Sequence, residues 1–391
     1  MGERIRYYWI DEIGEIMNIL YLSNLTGNLF AGPNHSVPAQ VKAQSKVDNV
    51  FWYNLNKVKR EEWTQNGLDC KNLSDYPSER LKDLPNPFCK PDLVVVEEFY
   101  CFPFNRLIHD IQKQQIPYVI VPRSELTEQA QRKKMWKKRI ANLLYFRKMA
   151  QKAIAIQYLS QRERIESGDI WNSKNLVIPN GTEPKEKYKK DFSECEIRAV
   201  YIGRYEQYQK GLDILLASIA KIKTELRAAR FILIMYGVDQ EGAIESMNHQ
   251  IKNYDICDLI QLNNAVYGQE KESVLIKSDV FIMTSRFEGM PMGMIEALSY
   301  ALPCVATEGT NLTREIDQYE AGWTAKNDVE SVTKALIAMV QDFSNMNVKD
   351  KGRNAKRLSS AFSWEAIAEK SHDAYTKMIR GVKSERNLEI N

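Results

Sequence analysis

The chain has 391 residues, of which 44% are hydrophobic and 27% charged, with a formal net charge of +3. That length and apolar content suit two domains with a core each, and they exclude a disordered or low-complexity chain. The small net charge excludes a global field for anionic partners, so any such attraction has to come from local patches.

In chain order, residues 1–16 carry Glu3, Asp11, Glu12 and Glu15 and read as an extension rather than a basic, then apolar, leader. The first strand-like run is Asn18–Asn24, followed by a loop with Gly27, Gly32 and Pro33 and a helix over His35–Gln44. Further strand runs are Val50–Tyr53, Leu93–Glu97, Tyr118–Pro122 and Ala153–Gln157, with helices over Asn105–Gln115 and Lys133–Ala150. Residues 63–91 are polar and read as loops with one short helix. Strands alternating with helices predict a parallel, doubly wound sheet.

Turn residues at Ile178–Thr182 and the charged tract Glu183–Asp191 read as a linker, which divides the chain into domains 17–185 and 186–363. The alternation then restarts. Strands are predicted at Arg198–Ile202, Phe231–Tyr236, Ile260–Leu262, Val280–Thr284 and Pro303–Thr307. Helices are predicted at Lys210–Lys223, Glu241–Asn253, Lys271–Lys277, Met292–Tyr300 and Val329–Phe343. A last amphipathic stretch, Trp364–Ile379, can pack on either domain. The fold class is therefore α/β, with two Rossmann-like domains facing a cleft at the carboxyl ends of their sheets, where open α/β sheets take ligands.

Few residue types offer chemistry by spacing. The six cysteines lie far apart with no Cys-x-x-Cys pair, which predicts free thiols, and the four histidines are too scattered for a local metal site. No apolar run approaches the roughly 20 residues of a membrane span, and the expected location is cytoplasmic.

Two segments carry most of the signal. In the first, a strand ends at Ile202, Gly203 lets the backbone turn closely, and Arg204 and Lys210 flank one loop before a helix. Two cations near helix N-termini suit a pyrophosphate, although an ordinary surface turn is an open alternative. The second is Ser285-Arg286-Phe287-Glu288-Gly289-Met290-Pro291-Met292, with Glu296 further along. Gly289 allows a positive φ and Pro291 suits a first helical position. Backbone N–H groups from Gly289 to Gly293 should then be free for a phosphate. Glu288 in the loop and Glu296 on the helix would each accept hydrogen bonds from hydroxyls on either side of it, as ribose, diphosphate and sugar require.

The carboxyl half resembles glycosyltransferase family 4, the retaining GT-B enzymes. The resemblance rests on Ile178–Thr182, Gly203-Arg204, Lys210-Gly211-Leu212-Asp213, Ser285–Pro291 with Glu296-Ala297, and Leu302–Thr307. It implies that Arg204 and Lys210 bind the donor diphosphate and stabilise charge on the leaving group, with Glu288 as the third catalytic residue, against the transferred sugar. Glu296 would hold the ribose. Gly32, Gly203, Gly289, Met290, Pro291 and Met292 would line the donor site. The chain has no Asp-x-Asp, so neither metal nor other cofactor is expected beyond the nucleotide sugar as co-substrate, with uridine the favoured base.

The amino half departs more. Ala31-Gly32-Pro33-Asn34 stands where the family often has paired glycines, and Pro122-Arg123-Ser124 where it often has a histidine. Asn34, Arg123 and Ser124 are the acceptor-side candidates, with Arg123 either binding an anion or capping a turn. The implied acceptor is a saccharide, lipid-linked, for capsule, exopolysaccharide or O-antigen synthesis. A non-catalytic partner subunit and a sugar-nucleotide epimerase are the alternatives.

Arg132–Lys148 holds eight Lys or Arg and no acid, with Met135, Ile140, Leu143, Leu144 and Phe146 on or near an apolar face. Either that face lies on an anionic membrane surface, the inner face of the cell membrane for a lipid-linked acceptor, or it is buried beneath a solvated basic one. Nucleic acid is not implied, since no binding motif accompanies the patch.

Overall fold

The computed structural model describes residues 15–28, 32–64, 69–101, 105–132, 134–192, 196–240 and 242–390. Residues 1–14 of the expected extension, Ala31, Lys133 and Cys195 lie outside them. The chain forms two compact units, Met1–Gly181 with Trp364–Asn391, and Thr182–Ser363.

The N-terminal unit is built on β1 (Asn18–Ser23), β2 (Asn49–Asn54), β3 (Cys70–Asn72), β4 (Leu93–Glu97), β5 (Tyr118–Val121), β6 (Ala155–Tyr158) and β7 (Asn175–Val177). These pair in the order β3-β2-β1-β4-β5-β6-β7, every described pairing parallel. β4, β5 and β6 are buried at every residue. A parallel sheet covered on both faces demands such continuous apolar runs, which is why these strands read so clearly in the sequence. The last helix, Trp364–Ile390, belongs to this unit and packs along the helix Pro33–Gln44. Its Tyr375 and Ile379 join the cluster of Ile19, Tyr21, Val37, Val41 and Trp52. Tyr375 donates to Gln157 Oε1 at 2.7 Å, and His372 Nδ1 lies 2.9 Å from Asp48 Oδ1.

The C-terminal unit holds β8 (Ile197–Ile202), β9 (Phe231–Gly237), β10 (Ile260–Asn264), β11 (Val280–Met283), β12 (Cys304–Thr307) and β13 (Gly322–Ala325). The order is β10-β9-β8-β11-β12-β13, again parallel. Each sheet reverses its winding once, between β1 and β4 in the first and between β8 and β11 in the second. Those switch points open crevices at the carboxyl ends of the strands. One core cluster lies under β8 and β9 with the helix Leu212–Lys221, and a second surrounds β11, β12 and the helix Met292–Ser299. Where the chain enters and leaves this unit its two segments pair, Thr182 N donating to Phe362 O at 2.7 Å.

The predicted two-sheet α/β class is what the structure shows, with one Rossmann-like parallel sheet in each unit. Among the described residues no helix is long and apolar enough to cross a membrane.

Candidate active site

The switch point of the C-terminal unit gathers both sequence segments. β8 delivers Gly203 and Arg204, and β11 delivers Ser285 and Glu288. Lys210 closes a short helical turn, Gln207–Lys210, instead of opening the following helix, which starts at Leu212. The break between them is Gly211, at φ 61°, a left-handed conformation that only glycine adopts without strain. It turns Lys210 towards β11, where Nζ meets Glu288 Oε1 at 2.6 Å, with side chains 12% and 9% exposed. Ser285 Oγ donates to the same carboxylate oxygen at 2.6 Å.

Further hydrogen bonds fix the Glu288 loop. Asn311 Nδ2 donates to Glu288 O at 2.6 Å, Asn327 Nδ2 donates to Ser285 O at 2.8 Å, and Arg286 N donates to Gln209 O at 2.8 Å. Arg286 grips Asp213 through two bonds of 2.7 Å, tying the loop to the helix after Gly211. Tyr201 Oη donates to Arg204 O at 2.7 Å and pins the turn after β8. Burial first, then the Glu288 charge, holds the Tyr201 phenol well above its ordinary pKa, so it stays a neutral donor.

Arg204 is exposed at the rim, with Nη1 donating to Gln240 Oε1 at 2.9 Å and Nη2 to Gln209 Oε1 at 3.3 Å. Glu296 lies on the helix Met292–Ser299 and is ion-paired with Lys271 of the helix Gly268–Lys277. At the helix start two expectations change. Pro291 is the N-cap residue rather than the first helical one. Met292 N also donates to Met290 O at 2.9 Å, so it is not free, because the chain closes a tight turn around Pro291. Met290 is partly buried against the cluster around β11 and β12, while Met292 is 37% exposed. Gly289 stands in the loop between Glu288 and Met290.

In the N-terminal unit, Gly32 is the N-cap of the helix Pro33–Gln44 at φ −48°. A β-carbon there would meet nothing within 4 Å, so the turn itself does not require glycine. Asn34 is buried and accepts from Gly27 N at 2.8 Å, holding the preceding loop. Arg123 is buried and engages Glu97 Oε2 at 2.8 Å, Ser36 Oγ at 2.9 Å, Gln40 Oε1 at 3.1 Å and Asn180 Oδ1 at 3.4 Å. Burial pushes the Glu97 carboxyl above its ordinary range against the pull of Arg123. Ser124 N donates to Glu163 Oε1 at 2.5 Å. The unit therefore brings Arg123, Ser36 and Gln40 together, while Asn34 holds the Gly27 backbone and Ser124 is itself held through its backbone N–H.

Sequence reading missed Lys271 as the partner of Glu296, because nothing in spacing links residues on separate helices. It also missed the support from Asn311 and Asn327. Ser285, three residues before Glu288, was the one legible signal, as a short hydroxyl within one turn of a carboxylate. Among the described residues no group of three His, Cys, Asp or Glu is placed to hold a metal ion.

Residues 196–342 match the family model described as glycosyl transferases, group 1. Over 142 residues the chain is 29% identical to a UDP-Gal:alpha-D-GlcNAc-diphosphoundecaprenol alpha-1,3-galactosyltransferase of Escherichia coli, covering 35% of this chain and 36% of that protein. It is 22% identical over 215 residues to the phosphatidylinositol N-acetylglucosaminyltransferase gpi3 subunit of Schizosaccharomyces pombe, covering 55% and 44% of the two chains. The chain thus spans less than half the length of these curated relatives. In fold it is similar to Anabaena HepE, crystallised with UDP, at a TM-score of 0.68 and 14% identity over 92% of this chain and 100% of that one. Residues 196–342, which hold the Lys210–Glu288 pair, are therefore the part of the chain that resembles the group 1 glycosyl transferases, on a chain with the GT-B fold.

Proposed function

We propose that the chain moves a glycosyl group from a nucleoside-diphosphate sugar to a hydroxyl of a saccharide acceptor, with retention of anomeric configuration. The observation that carries this reading is the Lys210–Glu288 pair at the β8/β11 switch point, inside the matched domain. A cation and a carboxylate there can divide one ligand between them. The Lys210 ammonium and, from the rim, the Arg204 guanidinium face the diphosphate and stabilise the charge that grows on it. Glu288 accepts hydrogen bonds from the sugar hydroxyls, and Ser285 keeps its carboxylate oriented. Glu296 takes the ribose hydroxyls when it exchanges Lys271 for them.

In the transfer, the acceptor oxygen bonds to the anomeric carbon as the bond to the diphosphate breaks, and the hydroxyl proton passes to the departing diphosphate. No metal is needed when two side-chain cations carry that charge, so turnover should persist in EDTA. The E. coli relative's name supports a uridine donor and an acceptor on a lipid diphosphate, and surface-polysaccharide synthesis is the setting we infer. A lipid-linked acceptor would require work at a membrane surface, with the protein peripheral to it.

The test is a donor-hydrolysis screen across UDP-, GDP- and ADP-sugars with the released sugar identified by mass spectrometry. Glu288→Gln should abolish release while nucleotide binding persists. Unchanged turnover in that variant would overturn the mechanism. Nucleotide binding without turnover on any donor or acceptor would favour the non-catalytic subunit instead.

A further inference from the structure

The basic stretch of the N-terminal unit does not bury its apolar face. It folds as the helix Met135–Ala141, a π-helical turn Asn142–Phe146 and the helix Arg147–Lys152. Phe146 and Met149 enter the core, as an amphipathic helix requires. The other large apolar side chains point the opposite way: Trp136 is 71% exposed, Ile140 59%, Leu143 83% and Leu144 75%. Positions 136, 140, 143 and 144 are spaced by four, three and one, which places them in one stripe along the helix. The wider π turn runs through the leucine pair.

The charges that the helix itself carries all have one sign. Lys134, Lys137, Arg139, Arg147 and Lys148 are exposed on it, and no Asp or Glu occurs between Glu128 and Glu163. Beside the helix runs a groove of about 630 Å³, lined by Arg139, Arg147, Met135, Leu143 and Ile170, with Arg132 and Glu128 ion-paired at its edge at 2.6 Å. The Arg139 and Arg147 guanidiniums over an apolar floor suit a phosphate attached to a hydrocarbon tail.

We propose that the surface of residues 134–148, with this groove, docks the N-terminal unit on a bilayer containing anionic phospholipid. The stripe enters the interface between headgroups and acyl chains, and the basic residues lie at headgroup level. Water-facing leucines on a helix with no acidic residue fit this partner better than a protein surface, which would need complementary acids, or a nucleic acid, which offers the leucines nothing. The face would act as an anchor whatever the C-terminal unit transfers, so this inference and the proposed function fail separately.

The experiment is flotation of the full chain with vesicles of phosphatidylcholine alone, and of phosphatidylcholine and phosphatidylglycerol in equal parts. The wild type should float only with the anionic vesicles and be released by high salt. Leu143→Ser with Leu144→Ser should weaken binding by at least tenfold, and each of Lys137→Glu and Arg139→Glu by about fivefold or more. All these side chains are exposed, so each variant should keep the wild-type melting temperature, and circular dichroism confirms that it folds. Flotation equal in wild type and variants would overturn the proposal, as would no flotation of the wild type. A wild-type dimer in sedimentation velocity that Leu143→Ser with Leu144→Ser dissolves, without lipid binding, would assign the face to a second copy instead.

Discussion

A β-carbon added to Gly211 would stand 2.0 Å from the carbonyl oxygen of Thr284. The end of β11 and the turn after the helix Gln207–Lys210 thus touch backbone to backbone, and that contact holds Lys210 beside Glu288. Both a positive φ and a backbone neighbour oppose any side chain here. Gly211→Ala should cost about 3 kcal/mol of stability and lower the melting temperature of the C-terminal unit by on the order of 10 °C. Calorimetry of the variant checks this, and an unchanged melt would show that the contact is loose.

Lys210 and Glu288 should respond differently to truncation. Lys210→Ala leaves Glu288 with Ser285 alone and removes positive charge where the diphosphate departs. We expect a fall in kcat of about 10²–10³-fold, with a smaller change in KM. Steady-state kinetics on the donor found in the screen decides it, and a loss confined to KM would assign Lys210 to ground-state binding.

Glu296 tests the ribose assignment. Glu296→Ala should raise the donor Kd about tenfold or more while leaving free pyrophosphate binding untouched. Isothermal titration with the nucleoside diphosphate and with inorganic pyrophosphate measures both arms. If Glu296→Ala and Lys271→Ala melt alike and bind nucleotide as wild type does, the pair is structural.

Glu98, just beyond β4 at φ 73°, gives a pH prediction. Burial first, then the neighbouring Glu125 charge, pushes its carboxyl up to about 7. The folded state therefore holds a proton that the unfolded chain has lost near the ordinary carboxylate value. Stability is highest below that value, falls as pH rises towards 7, and is flat above it. The buried Glu97, Glu125 and Glu163, each raised by burial, add in the same sense. Glu98→Gln should flatten the slope by at most about 3 kcal/mol across the window. Urea unfolding at several pH values measures it, and an unaltered slope would mean that Glu98 ionises freely.

The strands best read from sequence were those buried on both faces. Leu93–Glu97 has the same ends in the structure as in the pattern. β3, β7 and β13 were missed because three or four residues at a sheet edge carry too little apolar repetition to stand out. Of the site, the parts set by one stretch of chain were legible, such as Glu288 in the loop after β11 and Glu296 on the helix that follows. The parts assembled from distant stretches were not, as with Lys271 on Glu296 and the four partners of Arg123. The basic helix was legible as amphipathic, yet sequence left open which way its apolar residues turn. Only packing separates Phe146, which is fully buried, from Leu143 and Leu144, which face water.

The assignment of Trp364–Ile390 to the N-terminal unit has a consequence for biosynthesis. The C-terminal unit is one unbroken segment, Thr182–Ser363, and every strand it needs is available once that segment has left the ribosome. The N-terminal unit is made first but waits for the last helix to cover Ile19, Tyr21 and Trp52. Until then an apolar face on the older half stays open, and the nascent chain depends on chaperones or on speed to protect it. The half synthesised first is the half completed last.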